Sequence, residues 1–262
     1  MPRFRITLAY DGTDYVGWQR QATGVSIQGL LEDALSEIAE GPVTVTGAGR
    51  TDAGVHALGQ VAAFSLTRPI ATDALVRALN VRLPDAVRAL AADEAPADFH
   101  PQYAARSKTY RYHIWNGDVV SPFEHKYVWH VPGAVDLAAM AVAARLIEGR
   151  HDFAAFQSVG SDVSTTVRTI VSSLILRQAQ DERIHPGSLV VSLSNHEPVI
   201  TYEITGDGFL RHMVRAIVGT LVEIGRGERQ PEWIQEVMAS RDRSAAGRTA
   251  PSSGLFLARV EY

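Results

Sequence analysis

The stretch Arg3–Tyr10, RFRITLAY, alternates residues that suit a core, Phe4, Ile6, Leu8 and Tyr10, with residues that suit water. A period of two marks a strand with one face buried. A similar strand recurs later as SKTYRYHIW, Ser107–Trp115, with Tyr110, Tyr112 and Ile114 on one face. Each opens a run of elements, and the two runs decide the fold.

After the first strand, DGTDYVGWQRQ reads as a loop. From Ser26, a residue suited to N-capping, Ile27, Leu30, Leu31, Ala34, Leu35 and Ile38 recur at helical spacing until Gly41. PVTVTGAG and LGQVAAFSL read as strands, Thr72 to Arg82 as a second helix, and AVRALAADEA as a strand. The order β-α-β-β-α-β is the ferredoxin-like split unit, with helices on one face of an antiparallel sheet and the other face free to bind. After the break APADFHPQ a second unit begins. The expectation is an α+β fold of two ferredoxin-like halves, residues 1–103 and 104–262, with antiparallel sheets forming a shared cleft, which becomes an RNA-binding one if the resemblance described below holds, and helices on the opposite face.

In the second half a helix is expected from Asp136 to Gly149 and strands at TIVSSLILRQ, SLVVSLS and VITYEIT. A helix from about Phe209 to Ile224, a short one near PEWIQEVMAS and a strand LFLARVEY follow. The polar stretch AQDERIHPG reads as an elongated, mobile hairpin loop.

Composition narrows the function. The 262 residues, 46% of them hydrophobic, suffice for one large or two small cores. The opening residues have no signal-peptide core and no stretch approaches a membrane span, so a cytoplasmic protein is expected. With no cysteine, thiolate nucleophiles and Cys-ligated metals are excluded. The net charge of −4 gives no global attraction to nucleic acid, so any RNA surface must be local. Lys108 and Lys126 are the only lysines. Arginine suits phosphate and bases, although a GC-rich genome produces the same bias.

The segment GAGRTDAGVHALGQVAAF, Gly47–Phe64, has glycines but neither the G-K-[ST] of a P-loop nor the G-x-G-x-x-G spacing. There is no H-E-x-x-H, no compact histidine pair for a metal and no G-x-S-x-G. Asp52 is left between Arg50 and Gly54, either as a turn cap or as a reactive carboxylate.

In GFLRHMVRAIVGTLVEIG a helix is apolar almost all round, with Arg211 and Arg215 four residues apart on one side. Arg215 is embedded among Val214, Ala216 and Val218. A buried guanidinium stays charged and needs a carboxylate, and removing one member of such a pair costs about 3–5 kcal/mol. The alternatives are that Arg215 snorkels to water or pairs with Glu223 or Glu203. Tyr110, near Lys108, has the placement of a base-stacking ring on an RNA-binding sheet, while core packing is the commoner fate of a strand tyrosine.

Taken in order, YDGTDYVGWQRQ, GRTDAGVHALGQVAAF, SKTYRY, FLRHMVRAIVG and APSSGLFLARVEY resemble the tRNA pseudouridine synthase A family across almost the whole chain. The resemblance implies conversion of uridine to pseudouridine at positions 38, 39 and 40 of the tRNA anticodon stem-loop, without metal or organic cofactor. It also implies a homodimer, with each tRNA lying across both subunits. Asp52 falls on the family's catalytic aspartate and Arg215 on the basic residue that pairs with it. Tyr110 matches the tyrosine that stacks on the target base, and Arg50 the arginine that helps extrude it. Arg106, Lys108 and Arg111 are then candidates for the RNA backbone. The stretch RQAQDERIHPGS, residues 177–188, departs from a minimal member and lies away from these motifs. Two other readings compete: an RNA-binding module whose Asp52 only caps a turn, and a synthase acting on other RNA sites.

Overall fold

The computed structural model describes residues 1–158, 163–177 and 198–262. The loop expected beyond Arg177 and the strand expected at SLVVSLS lie outside the described residues. Strand β1 is Arg3–Tyr10, and its alternation buries Phe4, Ile6, Leu8 and Tyr10 almost completely. Helix α1, Ile27–Ala39, starts where expected, because the Ser26 hydroxyl accepts the Gly29 N–H at 3.1 Å. Its face of Ile27, Leu31 and Leu35 packs into the same core. Strands β2, Thr46–Gly47, and β3, His56–Ser65, then helix α2, Thr72–Arg82, and strand β4, Val87–Ala95, complete the first half.

The second half contains β5, Ser107–Trp115, the short β6, Trp129–His130, and α3, Leu137–Arg145. Strands β7, Gly149–Asp152, β8, Val167–Arg177, and β9, Val199–Gly206, precede α4, Met213–Gly225, α5, Trp233–Ser240, and β10, Leu255–Glu261. The sheet runs β4-β1-β3-β10-β5-β9-β8-β7, with β2 on β3 and β6 on β5. Within it β4-β1-β3-β2 and β10-β5-β9-β8 repeat one pattern, so both halves are ferredoxin-like. They join through a short parallel ladder of β3 and β10, Phe256 opposite His56 and Leu257 opposite Ala57.

Three expectations shift for local reasons. PVTVTGAG yields only β2, because side chains of α1 take the backbone groups of Val45: Glu32 accepts its N–H and the Gln28 amide donates to its carbonyl. Helix α3 ends at Arg145, and Gly149, at φ +100°, turns the chain into the unforeseen β7. Helix α4 starts at Met213 rather than near Phe209, because His212 takes the left-handed region at φ +63°. Arg211 therefore precedes the helix instead of sharing its face with Arg215.

Tyr110 lies in a row of register partners, Tyr10, Ala57, Leu257, Tyr110 and Ile204, that crosses the sheet on one face. This is the apolar face, covered by the α1–α2 pair in one half and the α3–α4 pair in the other. The sequence reading put the binding cleft on the face away from the helices; both tyrosines belong instead to the helix-bearing one. On that face Phe4, Ile6, Leu8 and Tyr10 of β1 and Tyr110, Tyr112 and Ile114 of β5 are all buried. No helix among the described residues is long and apolar enough to cross a membrane.

Candidate active site

The loop between β2 and β3 carries Arg50, Thr51 and Asp52, and buried bonds fix its course. The Tyr10 and Thr51 hydroxyls are 2.9 Å apart, the Gln60 amide donates to the Gly49 carbonyl at 2.9 Å, and Trp18 N–H donates to the Thr51 carbonyl at 3.0 Å. Gly17, at φ +105°, lets the preceding loop press close, since a Cβ there would sit 2.5 Å from the Thr51 carbonyl oxygen. The turn after Asp52 is closed by its backbone, Val55 N–H to Asp52 carbonyl at 3.1 Å, with Gly54 at φ +74°. Among the described residues no backbone N–H donates to the Asp52 side chain, so it does not cap this turn.

The carboxylate, 28% exposed, points instead at α4. Asp52 Oδ2 is 3.9 Å from a terminal guanidinium nitrogen of Arg215 and 3.5 Å from His212 Nε2. Arg215 is anchored where α4 meets the segment before β10: its Nε donates to the Ala250 carbonyl at 2.7 Å, and Ala250 N–H donates to the Arg215 carbonyl at 3.1 Å. The acids that could have taken Arg215 are engaged elsewhere, Glu223 with Arg248 N–H and Glu203 with Arg111. Burial pulls Arg215 below the usual arginine range, and the charge of Asp52 opposes the shift. An arginine has so much margin that it stays a cation.

His212 is the member of this cluster that sequence reasoning missed. Burial lowers its pKa from the ordinary 6.5; Asp52 partly offsets this, and Arg215, Arg211 and Arg243 add to it. The imidazole is therefore neutral at pH 7 and offers a dipole, not a charge, to the carboxylate. Its only sequence signal was a polar residue in the first turn of a helix expected from about Phe209.

Tyr110 is 7% exposed, and Phe209 meets it edge-on with ring centroids 5.0 Å apart. Phe209 was also missed as a site residue. Burial first, then the charges of Tyr10 and Asp52, push the Tyr110 phenol far above its usual range, so it is held neutral. Among the described residues its hydroxyl has no hydrogen-bond partner, whereas that of Tyr112 donates to the Pro251 carbonyl at 2.8 Å. Arg50 is exposed and forms no ion pair among the described residues. The structure thus brings Asp52, Arg215 and Tyr110 into one neighbourhood and leaves Arg50 at its rim.

A family model described as tRNA pseudouridine synthase matches residues 6–104 and 143–262. The chain belongs to the tRNA pseudouridine synthase family. Among its relatives, tRNA pseudouridine synthase A of Solibacter usitatus is 46% identical over the whole of both chains. That of Moorella thermoacetica is 45% identical over the whole of both, and that of Syntrophotalea carbinolica 43% identical over 98% of this chain and 95% of its own. Arg50, Asp52, His212 and Arg215 lie within the residues matched by the family model. Tyr110 lies between the two matched blocks, in a part of the chain that the full-length relatives cover.

Proposed function

We propose that the protein isomerises uridine to pseudouridine at positions 38, 39 and 40 in the anticodon stem-loop of tRNA, with Asp52 as the reacting carboxylate. The observation that carries this is the Asp52 side chain, left uncapped on a braced loop and directed at Arg215 and His212 beside the unpartnered Tyr110 hydroxyl. The reaction breaks the bond from ribose C1′ to N1, turns the uracil and joins C1′ to C5. The C5 proton leaves and N1 gains one, so no electrons are transferred overall and no redox cofactor is needed.

Asp52 serves as an ionised group, attacking C1′ or C6 or drawing off the C2′ proton. Arg215, a cation at neutral pH, lies 3.9 Å from that carboxylate and faces its charge. Tyr110 stacks on the uracil; as a phenol held neutral by burial it is a reluctant base, so stacking is its first role and proton transfer its second. Extruding a paired base costs a few kcal/mol, and Arg50, exposed at the rim and without an ion pair among the described residues, fills the vacated place. The labour divides between the halves, with residues 1–103 bringing Asp52 and residues 104–262 bringing Tyr110 and Arg215. A cytoplasmic homodimer with each tRNA lying across both subunits completes the reading.

The test is tritium release from tRNA transcribed with 5-³H-uridine, comparing wild type with Asp52→Asn. Release by wild type, none by the variant and tRNA binding by both is the expected result. Binding without release by wild type would overturn the assignment and leave an RNA-binding module. Pseudouridine mapping after gene deletion tests the positions, because loss outside the anticodon arm would refute the narrower claim.

A further inference from the structure

Three cations near Tyr110 were candidates for the RNA backbone, and the structure separates them. Arg111 points to the opposite sheet face and is held by Glu203 at 2.6 Å. Arg106 precedes β5 and is exposed. Lys108 alone shares the face of Tyr110, two residues away and so about 6.8 Å along the strand.

The surroundings of Lys108 are unusual for a lysine. Its ammonium reaches the start of the Asp52 loop, where a Cβ built on Gly49 would lie 3.6 Å from Nζ. Across the adjoining ladder it faces Gly206, next to the turn of Asp207 and Gly208. Arg168 lines that turn, with its Nε 3.5 Å from where a Gly208 Cβ would be. Among the described residues Lys108 has no hydrogen bond or ion pair. Asp207 does not close on it, and its carboxylate accepts the Thr169 N–H at 3.0 Å instead. Burial and the charge of Arg168 both pull Lys108 below the usual lysine range, with Asp207 partly offsetting them.

Two cations in a partly desolvated corner, neither ion-paired among the described residues and offset only in part by the charge of Asp207, are unfavourable in the free protein and become favourable once an anion enters. The glycines lining the corner let a sugar–phosphate chain approach the backbone closely. We infer that Lys108, backed by Arg168, is the subsite for a backbone phosphate flanking the nucleotide whose base lies on Tyr110. This rests on the proposed reaction at an extruded uridine. Base at Tyr110 and phosphate at Lys108 hold one nucleotide at both ends, at the spacing of two residues on one strand. The subsite ignores sequence and acts on the extruded nucleotide rather than on the stem.

The test is a coupling measurement with tRNA in which the phosphate on either side of the target uridine is replaced, one at a time, by an uncharged methylphosphonate. Binding is measured with wild type, Lys108→Gln and Lys108→Arg, and tritium release by wild type from the unmodified transcript is followed in parallel. At one of the two positions the neutral linkage should weaken wild-type binding about tenfold or more. It should add nothing to a similar loss in Lys108→Gln, while Lys108→Arg keeps most of the affinity. Lys108→Gln should also lower the slope of log affinity against log salt by about 0.7 to 0.9, the share of one phosphate contact. Losses that multiply, or neutral linkages that cost wild type nothing at either position, overturn the inference even if Lys108→Gln folds poorly. Absent tritium release overturns the proposed reaction instead, so the two failures are distinguishable.

Discussion

Replacing Arg215 by methionine keeps the apolar stem of the side chain and removes its guanidinium and charge. Two interactions disappear. At 3.9 Å the attraction to Asp52 is about 1 kcal/mol if water screens it fully and about 4 kcal/mol at an effective dielectric of 20. With Asp52 28% and Arg215 16% exposed, about 2 kcal/mol is a fair middle figure. The Nε bond to the Ala250 carbonyl contributes about 1–3 kcal/mol more, because the carbonyl is left unpaired beside a buried residue. Against this, the variant no longer desolvates a guanidinium, the largest influence on that group in the native protein. The net loss of stability is about 2 kcal/mol, a fall in Tm of about 4–8 °C for a chain of this size. If the 2 kcal/mol of carboxylate stabilisation is needed equally in the transition state, kcat falls about thirtyfold. Thermal unfolding and single-turnover tritium release measure the two effects. Arg215→Lys should lie between, keeping the charge but losing the fixed fork that serves Ala250 and Asp52 together. The reasoning fails if Arg215→Met melts and turns over like wild type, or if its stability loss is undiminished when Asp52 is already asparagine.

Gly54→Ala forces a side chain into φ +74° and places its Cβ 2.6 Å from the Ser252 hydroxyl, so it should cost about 1–2 kcal/mol and lower tritium release further by displacing Asp52; unchanged melting would show that the turn relaxes freely. Acid should weaken the fold through His113, which faces Thr201 and Phe256 with Arg111 and His56 near, and whose pKa burial first, then those charges, hold down at about 4. The unfolded imidazole gains a proton near pH 6.5 and the folded one only near 4, so stability present above 6.5 declines as pH falls between them, by about 2 kcal/mol at pH 5. Urea unfolding at pH 7 and pH 5 should give a smaller difference for His113→Gln than for wild type, and equal differences would refute the assignment.

Where one face of an element had to be buried, its extent could be read from residue pattern alone. RFRITLAY, SKTYRYHIW and Thr72–Arg82 emerge with the expected bounds, and Ser26 caps α1 as its hydroxyl suggested. Misreadings arose where a long-range partner decides. Val45 is extended but unpaired in the sheet because Glu32 and Gln28 reach it from α1, and no local pattern contains that information. The start of α4 depends on a left-handed histidine, a conformation that a run of apolar residues conceals. In the site, Arg215 announced itself as a charge in an apolar stripe, and Asp52 as a carboxylate in a glycine-rich turn. His212 and Phe209 carried no comparable contrast, since a histidine at a helix start and a phenylalanine after a glycine are ordinary. The surroundings of Lys108, which has no hydrogen bond or ion pair among the described residues, are set by Gly49, Arg168 and Asp207, three residues from distant parts of the chain.

The short seam between β3 and β10 places a mechanical axis through the protein. Ala57 lies on it, five residues after Asp52, and Tyr110 is one strand beyond, opposite Leu257. When one half turns against the other about such an axis, displacement grows with distance from it. Atoms near the seam scarcely move, while the outer ends of the helix pairs swing through the widest arc. Were the halves to turn in this way, the carboxylate, the aromatic ring and the guanidinium, which meet close to the seam, would keep their spacing while the rim opened.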